Sequence, residues 1–244
     1  MFYWFEQREC DVPRDDAWLS DMEREQSGAM RVPKRRSDWR LGRWTAKLAV
    51  ASFYQLPADP EVLAAIELRS ADSGAPVLFH NGEMSNVAIS LSHSYGTAFF
   101  TIAPPGRKIG CDLEKIEPRS AAFIEDYCTE SELHLIDAIA PGDRPLLVNL
   151  MWSAKESVLK LLGVGLRGDT RSISVLIDTR SLGLGIEQWL VFQARCSSAQ
   201  IFHGLWRSSN CFVRTVAAEK PISRAVELTM PHISASHAER TSTG

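Results

Sequence analysis

Two carboxylates stand two residues apart in the segment Gly110-Cys111-Asp112-Leu113-Glu114. On a β-strand, Asp112 and Glu114 point to the same face, because side chains alternate between the two faces of a sheet. Two neighbouring carboxylates repel each other, and a hard divalent cation between them would relieve the repulsion. The pattern predicts a metal site on a strand. The alternative is a strand end with one solvated acidic face.

A second group of reactive side chains lies in the segment Trp152-Ser-Ala-Lys155-Glu156-Ser-Val-Leu-Lys160. On a helix, Glu156 and Lys160 are four residues apart and share a face, and Trp152 lies one turn before Glu156. The spacing predicts an acid and a cation side by side. The alternative is an exposed ion pair on an amphipathic helix, which contributes only about 0.2–0.5 kcal/mol.

A third group is a dense basic cluster in a chain that is acidic overall. It begins at Arg31 and continues through Lys34, Arg35 and Arg36 into a predicted helix that carries three further basic residues, Arg40, Arg43 and Lys47. Arg36, Arg40, Arg43 and Lys47 would fall roughly along one helical face. Arginine suits phosphate because its planar guanidinium donates two hydrogen bonds at once. The cluster predicts a phosphate site, and the alternative is a solvated basic face.

The elements that must position these groups follow from periodicity and from capping residues. The pattern predicts an α+β fold in which helices and short antiparallel strands recur in both halves. Ser37 is a candidate N-cap, and Thr129 with Glu132 forms a capping box. The helices are expected at 13–29, 37–55, a short stretch after Asp59, 129–140 and 145–162, and the strands at 77–79, 87–93, 97–103, 108–114, 172–177, 188–195, 200–207 and 211–217.

The chain is expected to divide at the Pro104-Pro105-Gly106 break. Residues 1–106 form an N-terminal half with the basic cluster, and residues 107–220 form a C-terminal half with the acidic residues. Residues 221–244 are polar and are expected to be a flexible tail. No internal sequence repeat or low-complexity block stands out.

Composition and charge exclude several classes of protein. The 244 residues are 45% hydrophobic, and 27 Lys and Arg against 30 Asp and Glu give a net charge of −3, which is unlike a basic nucleic-acid coat. No apolar run reaches the roughly 18 residues of a membrane span, and the first residues do not resemble a signal peptide. The 5 cysteines lack a Cys-x-x-Cys pair, which favours a reduced, cytoplasmic protein without disulfides.

Taken in order, these segments resemble the 4′-phosphopantetheinyl transferases of the Sfp type. That family carries a Gly-hydrophobic-Asp-x-Glu strand followed by a Trp-x-x-Lys-Glu-x-x-x-Lys helix, which match residues 110–114 and 152–160. Ser90-Leu91-Ser92-His93, the Arg35-Arg36…Gly42-Arg43 segment and Gly163-x-Gly165-Leu166 also match. Cys111 replaces the family's usual Val or Ile, a harmless exchange for a small buried residue.

The resemblance implies a pseudodimer of two similar α+β halves, each with a small antiparallel sheet packed against helices, and coenzyme A bound in the cleft between them. It also implies an enzyme, a holo-acyl-carrier-protein synthase. The phosphopantetheine arm would pass from coenzyme A to a serine of an apo acyl or peptidyl carrier protein, with Mg²⁺ as cofactor. Adenosine 3′,5′-bisphosphate would be released. Chain length favours the monomeric pseudodimer over the shorter trimeric relatives. Composition favours a cytoplasmic protein without nucleic-acid or membrane partners.

The resemblance also implies roles for single residues. Asp112, Glu114 and Glu156 would hold Mg²⁺, Glu156 would accept the serine proton, and Lys160 would stabilise phosphate charge. Ala75 stands where many relatives carry a basic residue, which removes one phosphate contact from the family pattern. The residues that the resemblance assigns to coenzyme A are Arg36, Arg43, Gly74, Pro76, Ser92, His93, Lys155 and Lys160.

Two other functions remain open at this point. A Mg²⁺-dependent phosphoesterase or nuclease also needs clustered carboxylates and a lysine, but it does not need coenzyme A. A non-enzymatic nucleic-acid-binding module could use the basic cluster at 31–47, and its binding would be sensitive to salt and indifferent to the loss of Glu156.

Overall fold

The computed structural model describes residues 1–71, 73–164, 168–184 and 188–234, and these fall into two compact units. The N-terminal unit spans Phe2–Gly106 and also takes in the chain from Val226 onward. The C-terminal unit spans Arg107–Ala225 and includes Met1. In both units antiparallel strands pack against helices, which confirms the predicted α+β class.

The N-terminal unit packs the long helix α2 against a mostly antiparallel framework of strands. Its elements are β1 (Phe2–Arg8), α1 (Asp21–Ala29), α2 (Pro33–Phe53), α3 (Pro60–Ala64), β2 (Ile66–Ser70), β3 (Pro76–His80), β4 (Glu83–Met84), β5 (Ala88–Ser94), β6 (Thr97–Ala103) and, from the end of the chain, β12 (Ala225–Glu227). One sheet has the order β12-β1-β6-β5 and a smaller one the order β2-β3-β4. Leu48, Phe100 and Ile102 lie in the core between them and α2.

The C-terminal unit packs its own long helix against one five-stranded sheet. Its elements are β7 (Ile109–Lys115), α4 (Ala121–Tyr127), α5 (Glu130–Ala138), α6 (Arg144–Leu161), β8 (Ile173–Ile177), β9 (Leu190–Cys196), β10 (Ile201–Ser209) and β11 (Phe212–Ala218). The strand order is β7-β11-β10-β9-β8. Helix α6 packs on β7 and β11, and Leu150, Val158 and Phe192 belong to the core.

Several elements of the N-terminal unit differ from the sequence expectation. Helix α1 begins at Asp21 and not at residue 13, and strands β2 and β4 were not predicted. Helix α2 begins at Pro33 and not at Ser37, because proline fits the first helical position, where a backbone N–H is not needed. Strand β1 was not predicted, since its aromatic residues do not alternate with polar ones. It nevertheless pairs with β6 from Tyr3 to Arg8.

The end of the chain also differs from the expected flexible tail at 221–244. Strand β12 pairs with β1, and the Leu228 amide donates to the Trp4 carbonyl at 2.9 Å. Farther along, the Ser234 amide donates to an Asp59 carboxylate oxygen at 3.1 Å. Residues 226–234 therefore belong to the N-terminal unit, and the predicted tail beyond Ser234 lies outside the described residues.

In the described ranges, no helix combines the length and apolar character that crossing a membrane requires.

Candidate active site

Gly110 brings strand β7 and helix α6 into backbone contact. A Cβ atom added at Gly110 would lie 2.0 Å from the Ser157 carbonyl oxygen and 2.5 Å from the Leu161 amide nitrogen. Real Cβ atoms do not approach backbone atoms so closely, so the contact requires glycine. It places the side chain of Asp112, two residues farther along β7, against the face of α6 that carries Lys160.

The centre of the site is an ion pair between strand and helix. Lys160 Nζ donates to Asp112 Oδ1 at 2.8 Å, and Asp112 is only 4% exposed. Burial alone would lower the pKa of Lys160, but the carboxylates of Asp112 and Glu156 outweigh it and raise that pKa. Lys160 is therefore a stable cation at neutral pH, held by a buried carboxylate.

Glu156 lies one helical turn before Lys160 and is 6% exposed. Its Oε1 atom is buried and has no hydrogen-bond partner within the described part of the chain. Burial raises the pKa of Glu156 to about 7, the Asp112 and Glu114 carboxylates act in the same direction, and Lys160 opposes them. A buried carboxyl group with an open oxygen and a pKa near neutrality is suited to accept a proton.

Glu114 is held by two donors that fix its orientation. Trp152 Nε1 donates to Glu114 Oε1 at 3.0 Å, and the Arg119 guanidinium donates to Oε2 at 3.0 Å. Asn149 Oδ1 in turn accepts from Arg119 Nε at 2.7 Å. Burial and the Asp112 carboxylate raise the pKa of Glu114, while Trp152 and Arg119 oppose the increase. Arg119 and Asn149 escaped the sequence analysis because no spacing links them to Glu114.

The three carboxylates do not form a ready-made metal cage. Among the residues that the structure describes, no group of three or more His, Cys, Asp and Glu side chains is placed to hold a metal ion. Asp112 and Glu156 nevertheless lie close enough to affect ionisation, and Glu156 offers a buried oxygen. This pair fits Mg²⁺, which proteins usually bind through one or two carboxylates together with substrate phosphates.

The raised pKa of Glu156 makes the stability of the metal-free protein depend on pH. The folded state binds this proton up to about pH 7, whereas an unfolded glutamate releases it near its ordinary value of 4.5. Stability should therefore fall as pH rises from 4.5 through 7. At pH 8 the Glu156→Gln variant should be more stable than the parent by about 2 kcal/mol after allowance for solvent screening.

Chemical denaturation in chelator-treated buffer at pH 4.5 and pH 8 measures this difference. At pH 4.5 the two proteins should have nearly the same unfolding free energy, because Glu156 is then largely protonated. A variant that is equally stabilised at both pH values would contradict a raised pKa at this residue.

Lys155, which the family resemblance assigned to coenzyme A, is buried in the C-terminal unit. Its ammonium group is 2.7 Å from Glu132 Oε2 and donates to the Tyr127 carbonyl at 2.7 Å, in the interior of the C-terminal unit. Its side chain is 1% exposed. A coenzyme A phosphate could reach this lysine only by breaking both contacts, which corrects its assignment to coenzyme A binding.

Arg43 and His93 line one open pocket of about 440 Å³ in the N-terminal unit. Lys34 and Arg35 line the same pocket, so three cations and an imidazole converge there. The Arg43 guanidinium lies 4.5 Å from the centre of the Trp39 ring, and burial lowers its pKa while Glu23 opposes the decrease. Asp38 lines the pocket too and pairs with Lys34, so the cations that face the space without a carboxylate of the same pocket are Arg35 and Arg43.

Arg36 belongs to a different pocket, although it was predicted to act together with Arg43. It lines a space of about 500 Å³ with Arg14, Arg31 and Arg40. Its Nε donates to Ser27 Oγ at 3.1 Å. The structure therefore separates Arg36 from the pocket of Arg43 and His93.

Two carboxylates pair with the four cations of the predicted basic face of α2 and neutralise half of its charge. Asp16 pairs with Arg36 and Arg40, and Glu23 pairs with Arg43 and Lys47. Nucleic-acid binding needs basic side chains that are free to meet phosphates. The pairing weighs against the nucleic-acid-binding alternative.

The remaining predicted coenzyme A residues are spread over the N-terminal unit. Gly74 lies at a positive φ of 85° in the turn before β3, and Pro76 begins that strand. Ser92 is buried on β5, next to the exposed His93. The motif residues Gly165 and Leu166 lie outside the described residues.

Comparison with known proteins finds a family match that lies within the C-terminal unit. Residues 108–205, somewhat less than half of the chain, match the family model of the 4′-phosphopantetheinyl transferase superfamily. The resemblance is thereby confirmed at the level of the superfamily, and the match does not specify the Sfp type. No curated protein matches the chain.

Two solved structures are distantly similar to the chain. One is a holo-(acyl-carrier-protein) synthase from Bacillus anthracis in complex with CoA (3′,5′-ADP), with 22% identity over 46% of this chain and 93% of that chain and a TM-score of 0.38. The other is the holo-[acyl-carrier-protein] synthase of Thermotoga maritima, with 18% identity over 47% of this chain and 64% of that chain and a TM-score of 0.32.

Proposed function

We propose, from the 4′-phosphopantetheinyl transferase pattern of residues 108–205, that this chain transfers phosphopantetheine from coenzyme A to a serine of an acyl or peptidyl carrier protein. The observation that carries the proposal is the cluster on β7 and α6. There the Asp112–Lys160 ion pair lies beside a buried Glu156 with an open oxygen. This cluster supplies a base and a cation at one place, and phosphoryl transfer needs both.

Glu156 acts as the general base. It takes the proton of the serine hydroxyl, whose oxygen forms a bond to the phosphorus that carries the pantetheine arm. The bond from that phosphorus to the bridging oxygen breaks, and adenosine 3′,5′-bisphosphate leaves with the bonding electrons. Lys160 stabilises the negative charge that develops on the phosphate oxygens, and Asp112 keeps its ammonium group in place.

Asp112 and Glu156 are the residues that would hold Mg²⁺, which when bound neutralises the pyrophosphate charge. Glu114, the third predicted ligand, would have to part from Arg119 in order to join them. Its two donors instead keep it oriented beside Asp112, where its charge supports a cation between strand and helix.

Arg43 and His93 are the proposed contacts of the coenzyme A 3′-phosphate, because they line one pocket with two further cations. Gly74, Pro76 and Ser92 are also proposed as coenzyme A contacts. Arg36 is proposed as a further contact, in the separate arginine pocket. Lys155 is not proposed as a contact, because it is 1% exposed and is held by both Glu132 and the Tyr127 carbonyl. Arg43 differs, since its side chain is 12% exposed and lies 3.7 Å from Glu23.

Replacing Arg43 with alanine should raise the KM for coenzyme A by about tenfold, the effect of losing one charge-assisted hydrogen bond. The turnover number should change much less, because the 3′-phosphate does not react and is bound equally in the ground and transition states. Steady-state kinetics with coenzyme A and with dephospho-coenzyme A, which lacks this phosphate, measures the effect.

Dephospho-coenzyme A should show the same KM with both proteins. Arg180→Ala serves as the control, since Arg180 is exposed and lines neither pocket, and its KM for coenzyme A should stay within about twofold of the parent. Equal losses with coenzyme A and dephospho-coenzyme A would remove Arg43 from the 3′-phosphate site.

Incubation with coenzyme A, Mg²⁺ and a panel of apo carrier proteins, followed by intact-mass measurement, tests the proposed function. The expected result is the addition of one phosphopantetheine group to the carrier serine, dependent on Mg²⁺. Cleavage of phosphodiesters without carrier modification would favour the phosphoesterase alternative. In that case coenzyme A would also fail to protect the chain against thermal unfolding.

We further propose that the chain acts as a cytoplasmic monomer whose two units form a pseudodimer. The two units share an order of elements: a strand, a helix, a long helix and a set of antiparallel strands. Size-exclusion chromatography with light scattering would test the monomeric state.

A further inference from the structure

The ion pair of Lys155 and Glu132 joins four elements of the C-terminal unit. Lys155 on α6 contacts Glu132 on α5 and donates to the carbonyl of Tyr127, the last residue of α4. Glu132 Oε1 also accepts from the Val175 amide on β8 at 2.8 Å. Its Oε2 accepts from the Thr129 amide at 2.8 Å as part of the capping box of α5.

The N-terminal unit contains the same arrangement. Lys47 on α2 lies 2.6 Å from Glu23 on α1, with side-chain exposures of 0% and 3%. Glu23 closes a capping box with Ser20 and accepts from the Leu68 amide on β2 at 3.3 Å. Lys47 donates to the Leu63 carbonyl at 2.8 Å. A buried lysine on each long helix thus meets a capping glutamate that also binds the following strand.

The residues around the two lysines correspond as well. Trp44-Thr45-Ala46-Lys47 on α2 matches Trp152-Ser153-Ala154-Lys155 on α6. With the lysines aligned, Leu48 stands at the position of Glu156 and Ser52 at the position of Lys160.

The strand register extends this correspondence. The hairpin loops Tyr95-Gly96 and Asn210-Cys211 both have two residues with positive φ, so β6 and β11 align from Thr97 and Phe212. Phe5 pairs with the fourth residue of β6, and Asp112 pairs with the fourth residue of β11. By the same register Gln7 corresponds to Glu114.

The N-terminal unit therefore keeps the lysine–glutamate pair but lacks the reactive groups. Phe5 and Leu48, at the positions of Asp112 and Glu156, are buried in its apolar core. A contact that persists where no carboxylate cluster exists serves the packing of the long helix. The unit that carries the cluster has the same lysine–glutamate pair and the same contact to the following strand, although its lysine meets a carbonyl of α4 where Lys47 meets one of α3.

We propose that Lys155 is a positioning residue, which sets the place of Glu156 and Lys160 on α6 through Glu132 and binds no phosphate. The effect of Lys155 on transfer rests on the proposed function. Its place in the interior rests on the lysine–glutamate contact that both units contain. Since Glu156 follows Lys155 directly, a shift of α6 away from α5 would move the base relative to Asp112 on β7.

Four variants test the proposal: Lys155→Met, Glu132→Gln, the double variant with both changes, and Lys47→Met as the matched control in the other unit. Lys155→Met leaves a buried charge without its partner, so its Tm should fall clearly, whereas the double variant should recover most of the loss. Lys47→Met should lose a similar amount of Tm, because it removes the same contact.

The kinetic readout separates positioning from phosphate binding. Well below its Tm, Lys155→Met should lose about tenfold in kcat and change the coenzyme A Kd by less than about twofold, since no phosphate contact is removed. The double variant should recover part of the kcat. Lys47→Met should change kcat by less than about threefold despite its lower Tm. Faster amide hydrogen exchange in α6 of Lys155→Met, and not of Lys47→Met, should accompany the loss.

Three results would overturn the proposal. A Kd for coenzyme A that rises about tenfold in Lys155→Met would show that Lys155 binds a phosphate. An unchanged kcat at a lowered Tm would make the pair merely structural, and an unchanged Tm would show that it contributes nothing. If the parent modifies no carrier protein, the proposed function fails, but Tm, calorimetry with coenzyme A and hydrogen exchange still decide the role of Lys155.

Discussion

Replacing Glu156 with glutamine should reduce kcat for phosphopantetheine transfer by at least about 100-fold, the low end of what a positioned general base contributes. The amide is nearly the same size as the carboxyl group, but it cannot take the serine proton. It also removes one of the two carboxylates that fit Mg²⁺. Rates measured by intact mass of the carrier protein, at saturating coenzyme A and Mg²⁺, give the comparison.

Glu130→Gln is the matched control, because Glu130 is exposed at the start of α5 in the same unit. Its rate should stay within about twofold of the parent, since an exposed charge far from the site contributes little. The Glu156→Gln protein should unfold at or above the parent's Tm at pH 8, which excludes misfolding as the cause. A loss of less than about tenfold, or 1.4 kcal/mol of barrier, would count against a catalytic role.

Alanine at Gly110 should destabilise the protein by about 3 kcal/mol or more, at the upper end of what overpacking costs. Its Cβ would lie 2.0 Å from the Ser157 carbonyl oxygen, so β7 and α6 must move apart. The same movement would lengthen the contact between Asp112 and Lys160. The variant that still folds should therefore also lose most of its transfer activity.

Denaturant unfolding and transfer rates at low temperature measure both effects. Gly142→Ala is the control, because a Cβ there meets nothing within 4 Å. It should leave both stability and activity close to those of the parent. A Gly110→Ala protein of normal stability would mean that strand and helix are not in backbone contact.

Local sequence patterns predicted most of the C-terminal unit. Thr129 and Glu132 predict the start of α5, and the structure confirms both contacts of the capping box. The two-residue spacing of Asp112 and Glu114, and the four-residue spacing of Glu156 and Lys160, follow from strand and helix geometry alone. The meeting of these two elements depends on long-range packing at Gly110, which the family resemblance supplied and periodicity could not.

The role of Lys155 illustrates what a local pattern does not contain. Its partner Glu132 is remote in sequence and already has a role as a capping residue. Nothing in the local pattern shows that the Glu132 carboxylate also contacts Lys155 and accepts from the Val175 amide. A comparison of the two halves would have supplied a signal. Trp44-Thr45-Ala46-Lys47 repeats the start of the Trp152 motif in a segment without reactive groups.

The basic cluster shows the same difficulty for charges. Its spacing indicated one cationic helix face, but Asp16 and Glu23 from earlier in the chain pair with all four cations of that face and neutralise half of its charge. Which cations remain available depends on tertiary ion pairs. The family resemblance assigned both Arg43 and His93 to coenzyme A, whereas the spacing of the basic residues alone does not connect His93 on β5 with α2.

Apolar residues occupy the positions of the N-terminal unit that correspond to Asp112 and Glu156. They make it difficult for a second carboxylate site to form there. Phe5 and Leu48 are packed into the core of the N-terminal unit, so carboxylates introduced there would be buried without a lysine at Ser52 to pair with them. An uncompensated buried charge costs several kcal/mol, a large share of the stability of a domain. A single carboxylate substitution at either position would therefore give an unstable protein. Selection would remove such a variant before a second carboxylate site could form. The ionisable cluster is therefore confined to the C-terminal unit, and the corresponding place in the N-terminal unit can hold only apolar side chains without loss of stability.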